Sequence, residues 1–209
     1  MNTKRKGKTK MNNETMNNGR QPQLGQYRPA LTFYHPNGKG SGGAIEMKLH
    51  PAHDSVNGSI MLRIANQIAV GDRRGPSPTY ARFDWENAIC VKLDFNDLCR
   101  MLQVFRGECE SIDGDRGLYH QTYRAATKIQ LRHLIEPVSG YSLEVYRNLR
   151  EGGAGSHGHF MLTAAEATGL SEAIAGSMSV ICFGIPMLVA HDTSAYEAQE
   201  RGFRNVSAA

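Results

Sequence analysis

At 209 residues and 40% hydrophobic, the chain can bury the core of one medium-sized domain with tails. No apolar run approaches the ~18 residues of a membrane span, and the basic first residues lead into no apolar stretch, so neither a membrane protein nor a secretory signal is expected. The formal charge of +4 is uneven: in residues 1–20, Lys4, Arg5, Lys6, Lys8, Lys10 and Arg20 face only Glu14, which leaves the other 189 residues with 18 basic and 19 acidic groups.

Residues 1–26, rich in Asn, Gly, Lys and Thr, have almost nothing to bury and are expected to be a disordered basic arm. Such an arm either touches phosphates or serves only for solubility or targeting. Strands are predicted next, over Ala30–Tyr34, Ala44–His50 and Ser59–Ile68. In the second, Ile45, Met47 and Leu49 alternate with Glu46, Lys48 and His50; in the third, Ile60, Leu62 and Ile64 alternate with Met61 and Arg63. Gly40–Gly43 is a loop without the Lys-Ser/Thr pair of a phosphate cradle. Gly71–Pro78, with two Arg, two Pro and two Gly, is another loop.

The stretch FDWENAICVKLDFNDLCRML, Phe83–Leu102, changes period at Asp94. Ile89, Val91 and Leu93 alternate as in a strand, whereas Leu98, Met101, Leu102 and Phe105 recur as one face of a helix. Asp94 is the predicted N-cap, with Asp97 three residues on and Gly107 closing the helix. The same grammar then returns. Gly107–Gly117 is an acidic turn-rich loop holding Glu108/Glu110 and Asp113/Asp115, and Leu118–Ile135 is predicted as one long strand region with Ile129, Leu131 and Ile135 inward. A hairpin at Pro137–Gly140 leads to a strand over Tyr141–Asn148. A Gly-rich loop over Arg150–Gly158 precedes a short strand, His159–Leu162. Thr163 and Glu166 form a capping-box pattern opening a helix that buries Leu170, Ile174, Met178 and Ile181 and stops at Pro186. Gly169, Ala173, Ala175, Gly176 and Ser177 leave one side of it small, for tight packing on its own sheet or for an oligomer interface.

Two sets of hairpin-linked strands, each followed by a helix, make the predicted fold α+β. Cys90, Cys99, Cys109 and Cys182 show no CxxC spacing, so reduced thiols in an intracellular compartment are expected. No cofactor is expected. His157 and His159 lie in a predicted Gly-rich loop without a carboxylate at ligand spacing, His50 and His53 flank Pro51 at a strand end, and no GxSxG, HExxH or P-loop pattern is present. A non-enzymatic function is the expectation.

What the strands do carry outward is basic and aromatic. Lys48, Arg63, Lys92, Lys128 and Arg132 lie on polar strand positions with Tyr146 among them, and Phe33, Tyr34, Tyr80, Phe83, Trp85, Tyr119 and Tyr123 cluster near strand ends. Cations hold phosphates and aromatic faces stack unpaired bases, so the combination suits single-stranded nucleic acid. Tyr34, Lys48, Arg63, Trp85, Lys92, Lys128, Arg132 and Tyr146 are the candidate binding residues.

Phe83-Asp84-Trp85, the segments Lys128–Pro137 and Tyr141–Asn148, and Thr163-Ala-Ala-Glu166 follow one another in an order that resembles the Whirly family of single-stranded DNA-binding proteins over residues 30–184. The layout is also similar to the mitochondrial guide-RNA-binding proteins and, more distantly, to a coactivator that binds single strands. The resemblance implies two four-stranded antiparallel sheets, each followed by a helix, in a domain of residues 27–185 with a tail over 186–209. It also implies a homotetramer joined through the C-terminal helix, with single-stranded DNA, or alternatively RNA, along the sheets. The chain departs from the plant proteins in having Arg28-Pro29-Ala30 in place of their Lys-Gly-Lys-Ala-Ala motif, and in lacking an acidic aromatic tail. The rival reading from another class is a self-assembling structural protein.

Overall fold

The computed structural model describes residues 30–184 apart from 54, 55, 75, 137, 138 and 151. The expected basic arm, the C-terminal tail, the stop at Pro186 and the Arg28-Pro29 departure fall outside these residues.

Strands β1 (Ala30–His35), β2 (Gly43–His50) and β3 (Ser59–Ala69) pair in sequence order, all antiparallel. The fourth position is shared: β4 (Arg82–Phe83) pairs with the end of β3, and β5 (Ile89–Leu93) pairs with its beginning. The break between them is a turn in which Asp84 Oδ1 accepts from the Asn87 backbone at 3.2 Å. The second sheet is β6 (Leu118–Gln121), β7 (Ala125–Leu134), β8 (Gly140–Leu149) and β9 (Ser156–Leu162), again in antiparallel sequence order.

Helix α1 (Phe95–Phe105) hangs directly from β5. Asp94 and Asp97 form the reciprocal capping box, and Gly107 follows the helix end at φ 72°, where a side chain would be strained. Helix α2 (Ala164–Phe183) opens on the box of Thr163 and Glu166. The loop before β3 satisfies carbonyls at its far end, with Ala52 N donating to Val180 O at 3.1 Å and Gly58 N to Ile181 O at 3.0 Å. Among the described residues no helix is long and apolar enough to cross a membrane.

One core joins all layers. Ile45, Leu62, Ile64 and Leu93 of the first sheet, Ile129, Leu131, Leu143 and Phe160 of the second, Leu98 and Met101 of α1, and Leu170 and Ile174 of α2 are all essentially inaccessible. Each such side chain contributes about 1.5–3 kcal/mol relative to exposure. The sheets touch where β9 passes β3: a Cβ on Gly158 would fall 2.7 Å from Ile64 Cγ2, so only glycine allows this approach. Asn66 Nδ2 donates to His157 O at 2.8 Å across the same seam.

Three expectations need correction. The long strand region Leu118–Ile135 is two strands, folded at Thr122–Arg124 by Thr122 N donating to Ala125 O at 2.9 Å. Ile135 lies past the end of β7 and is 73% exposed, not inward. The Gly-rich loop ends earlier than expected, because β9 begins at Ser156 and fixes both His157 and His159 on a strand. On α2, Leu170, Ile174 and Ile181 are buried as expected, and Met178 is half-buried against the core.

Candidate nucleic-acid interface

Each sheet buries one face and leaves the other outward, because apolar and polar residues alternate along every long strand. On the first sheet the outward face carries Tyr34, Lys48, Arg63 and Lys92, with Trp85 beside them in the turn after β4. Cross-strand register sets Lys48 beside Met61, and Met61 beside Lys92; one row along, Glu46 sits beside Arg63. Most of these groups hold one another. Glu46 Oε1 lies 3.0 Å from Lys48 Nζ and 3.0 Å from Arg63 Nη1. Burial pushes the Glu46 carboxyl up, but the two cations outweigh it and keep it below the usual carboxylate range. Arg63 also donates through Nη2 to Trp85 O at 2.8 Å and lies over the Trp85 ring at 5.1 Å. Tyr34 packs at 5.5 Å from Phe83 and edge-on at 6.3 Å from Trp85. Lys92 is exposed, and among the described residues it has no ionic partner.

The outward face of the second sheet carries Lys128, Arg132 and Tyr146, and the register adds neighbours to them. Tyr119 of β6, Lys128 of β7, Tyr146 of β8 and His157 of β9 are successive cross-strand partners, so they form one row across the whole sheet. Tyr119 is 63% exposed. Tyr146 and His157 stack at 4.3 Å with an 11° tilt. The row floors an open groove of about 540 Å³ whose walls include Gln130, Asn148 and Ser156. Among the described residues Lys128 has no hydrogen-bond or ionic partner for its ammonium.

One row along, Glu144 lies between Gln130 and His159. Its carboxylate accepts from Tyr146 Oη and sits 3.6 Å from His157 Nε2. That phenol hydrogen bond, helped by the two imidazoles and opposed by burial, holds the Glu144 carboxyl below its usual range. The same bond raises the Tyr146 phenol. Arg132 lies on this face toward the sheet end, beside Ser142 in register and bridged to Ser111.

The eight candidates thus separate into two faces and not one: Tyr34, Lys48, Arg63, Trp85 and Lys92 on the first sheet, and Lys128, Arg132 and Tyr146 on the second. The small-residue side of α2 borders the side of the first sheet that Met47 and Ile60 occupy, opposite Lys48 and Arg63. Gly169 and Gly176 have nothing within 4 Å of where a Cβ would be, and Ala173, Gly176 and Ser177 line an apolar groove of about 500 Å³ with Leu31, Met47 and Ile60. Tight packing of those glycines on their own sheet is therefore not what the structure shows.

The architecture has solved counterparts. WHY3 of Arabidopsis thaliana superposes with a TM-score of 0.61 over 83% of this chain and 98% of that one, at 13% identity. WHY1 of the same plant gives 0.58 over 75% and 92%, also at 13% identity. The plant transcriptional regulator PBF-2 gives 0.58 over 80% and 87%, at 14%. This chain has the Whirly fold. The trypanosomal proteins MRP1/MRP2 share it more distantly, with a TM-score of 0.51 over 74% and 86% at 14% identity. No protein-family profile and no curated protein matches the sequence.

Within the Whirly fold, the groups that complete the second-sheet row were missing from the candidates. Tyr119 was visible as an aromatic at a strand end, but its alignment with Lys128 depends on a hairpin hidden inside one apparent strand. His157 and His159 had a clearer signal. They alternate with Gly158, Phe160 and Leu162, which are buried, so the strand period extends two residues further back than the glycines suggest.

Proposed function

We propose that this protein binds single-stranded nucleic acid with little sequence preference, through the outward faces of its sheets, and is not an enzyme. The observation that carries the proposal is the row Tyr119–Lys128–Tyr146–His157 on the floor of the second-sheet groove. An ammonium that has no partner among the described residues is flanked by aromatic faces, which matches a phosphate flanked by unpaired bases. Stacking contributes about 1–3 kcal/mol per base and is blind to base identity. A duplex hides its base faces, so the same row selects against it. The Whirly fold supports this reading, since it is shared with a plant transcriptional regulator.

The finer assignment is single-stranded DNA in replication, recombination, repair or transcription inside the cell. The four free cysteines agree with a reducing compartment. Single-stranded RNA is the alternative ligand, and competition between DNA and RNA strands of one sequence decides between them through the 2′-hydroxyl. The open side of α2 is where copies of the chain meet, as the tetramer implied by the resemblance requires.

Fluorescence anisotropy of a labelled strand of about 30 nucleotides, single or in duplex, at two salt concentrations tests the proposal. Salt-dependent binding with a preference for the single strand is expected. No binding, or equal binding of both forms, contradicts it and leaves self-assembly as the use of the sheets.

A further inference from the structure

The loops at the far end of the first sheet are built with more care than a simple connection needs. Gln67, 6% exposed, uses its whole carboxamide to tie them together. Its Oε1 accepts from Asn37 N at 2.9 Å and Gly42 N at 3.1 Å, and its Nε2 donates to Asn37 O at 3.0 Å and Ala69 O at 3.1 Å. The neck of the second loop is pinched by Thr79 N donating to Asp72 O at 2.7 Å and Asp72 N donating to Thr79 Oγ1 at 3.0 Å. Between the two loops lies a groove of about 600 Å³, lined by Asn37 and Gly38 on one side and by Arg73, Arg74 and Tyr80 on the other.

Asn37, Asp72 and Thr79 of this lining hold the loops, but its arginines and its tyrosine are left over. Arg73 and Arg74 are exposed, and among the described residues neither guanidinium has a partner. Asp72, the acidic residue of the lining, has one carboxylate oxygen taken by the Arg74 backbone at 2.9 Å. Tyr80 is 74% exposed. We infer that this groove is a second nucleic-acid subsite, which takes a backbone phosphate between Arg73 and Arg74 and stacks an adjoining base on Tyr80. Two planar guanidinium forks match phosphate oxygens, and an exposed phenol ring offers a π-face to any base. The inference rests on the function proposed above. Its place suits a continuing strand: Asn66 binds the carbonyl of His157 in the second-sheet groove, and the next residue, Gln67, holds the loops.

The test is anisotropy of a single strand of about 30 nucleotides with wild type, Arg73→Ala/Arg74→Ala, and the control Arg106→Ala/Arg116→Ala, which removes the same charge from exposed positions elsewhere. Each phosphate contact on a single strand adds ~0.7 to the slope of log K against log salt. The loop variant is expected to lose about 0.7–1.4 of that slope and about tenfold in affinity at low salt. The control should stay near wild type, Tyr80→Phe should retain affinity and Tyr80→Ala should lose it. Equal losses in loop variant and control overturn the subsite. A loop variant that binds like wild type overturns it while leaving the parent reading intact, and a wild type that binds no strand removes both. A labelled adenosine 5′-phosphate that binds wild type but not the loop variant, with strand affinity unchanged, assigns the groove to free nucleotides and also overturns the subsite.

Discussion

On the outward face of the first sheet, Glu46 lies between Lys48 and Arg63, and Arg63 covers Trp85. On the second, Lys128 stands between Tyr119 and Tyr146 with its charge unanswered among the described residues, and the carboxylate of Glu144 is engaged by Tyr146 and His157 instead. Both faces hold cations and aromatic rings in similar number, and Lys92 on the first is unpaired too, but its cross-strand neighbour is Met61; among the described residues only the second face sets an unpaired cation beside an unpaired ring. A cation already paired must break a hydrogen bond to take a phosphate, and the exchange gains little. The lesson is that a binding surface consists of what folding leaves unsatisfied, and a tally of basic residues overstates the first sheet.

Several substitutions sharpen or break this contrast. The largest effect is expected from Tyr119→Ala/Lys128→Ala, which removes a stacking face and the unpaired ammonium together and should weaken single-strand binding by about 10- to 100-fold in anisotropy. Lys48→Ala/Arg63→Ala should cost much less, and an equal or larger loss would reverse the ranking of the two faces. Gly158→Ala attacks the seam that holds the sheets together, since its Cβ would lie 2.7 Å from Ile64 Cγ2. Denaturant unfolding should show about 1–3 kcal/mol of destabilisation. Glu46→Gln works in the opposite direction: it frees Lys48 and Arg63 and should raise affinity by a few-fold, about what one weak surface pair contributes. A loss of affinity there would mean that Glu46 positions those cations for binding.

The smallest effect concerns pH. His120 on β6 meets Asp97 of α1 at 2.9 Å, and that hydrogen bond raises the imidazole above its ordinary range against the opposing effect of burial. A raised folded value means the contact stabilises fully below the unfolded imidazole's ~6.5 and is lost as pH rises through the folded value. Wild type should therefore lose more melting temperature than His120→Gln between mildly acidic and alkaline pH. Parallel profiles would show that the contact carries no such linkage.

Much of the fold was legible because local signals agreed with one another. Asp94 with Asp97 and Thr163 with Glu166 mark both helix starts, and the alternation in β2, β3 and β8 separates buried from outward residues. The turn at Thr122–Arg124 was not, because it contains no glycine or proline and the residues on both sides favour extended backbone. The candidate site was legible one residue at a time but not as a surface. Which cation has a partner depends on register, and a sequence does not show that Glu46 falls beside Arg63 whereas Lys128 falls beside Tyr146. The role of Gln67 was equally hidden, since a glutamine at an inward strand position reads as a flaw until the two loops it holds are seen.

The most direct test of the central claim is photo-cross-linking of a single strand carrying halogenated pyrimidines, followed by mapping of the attached peptides. Cross-links concentrated on Tyr119 and Tyr146, and sparse on Tyr34 and Trp85, are what this account predicts. Cross-links confined to Tyr34 and Trp85 would contradict it and place the strand on the first sheet.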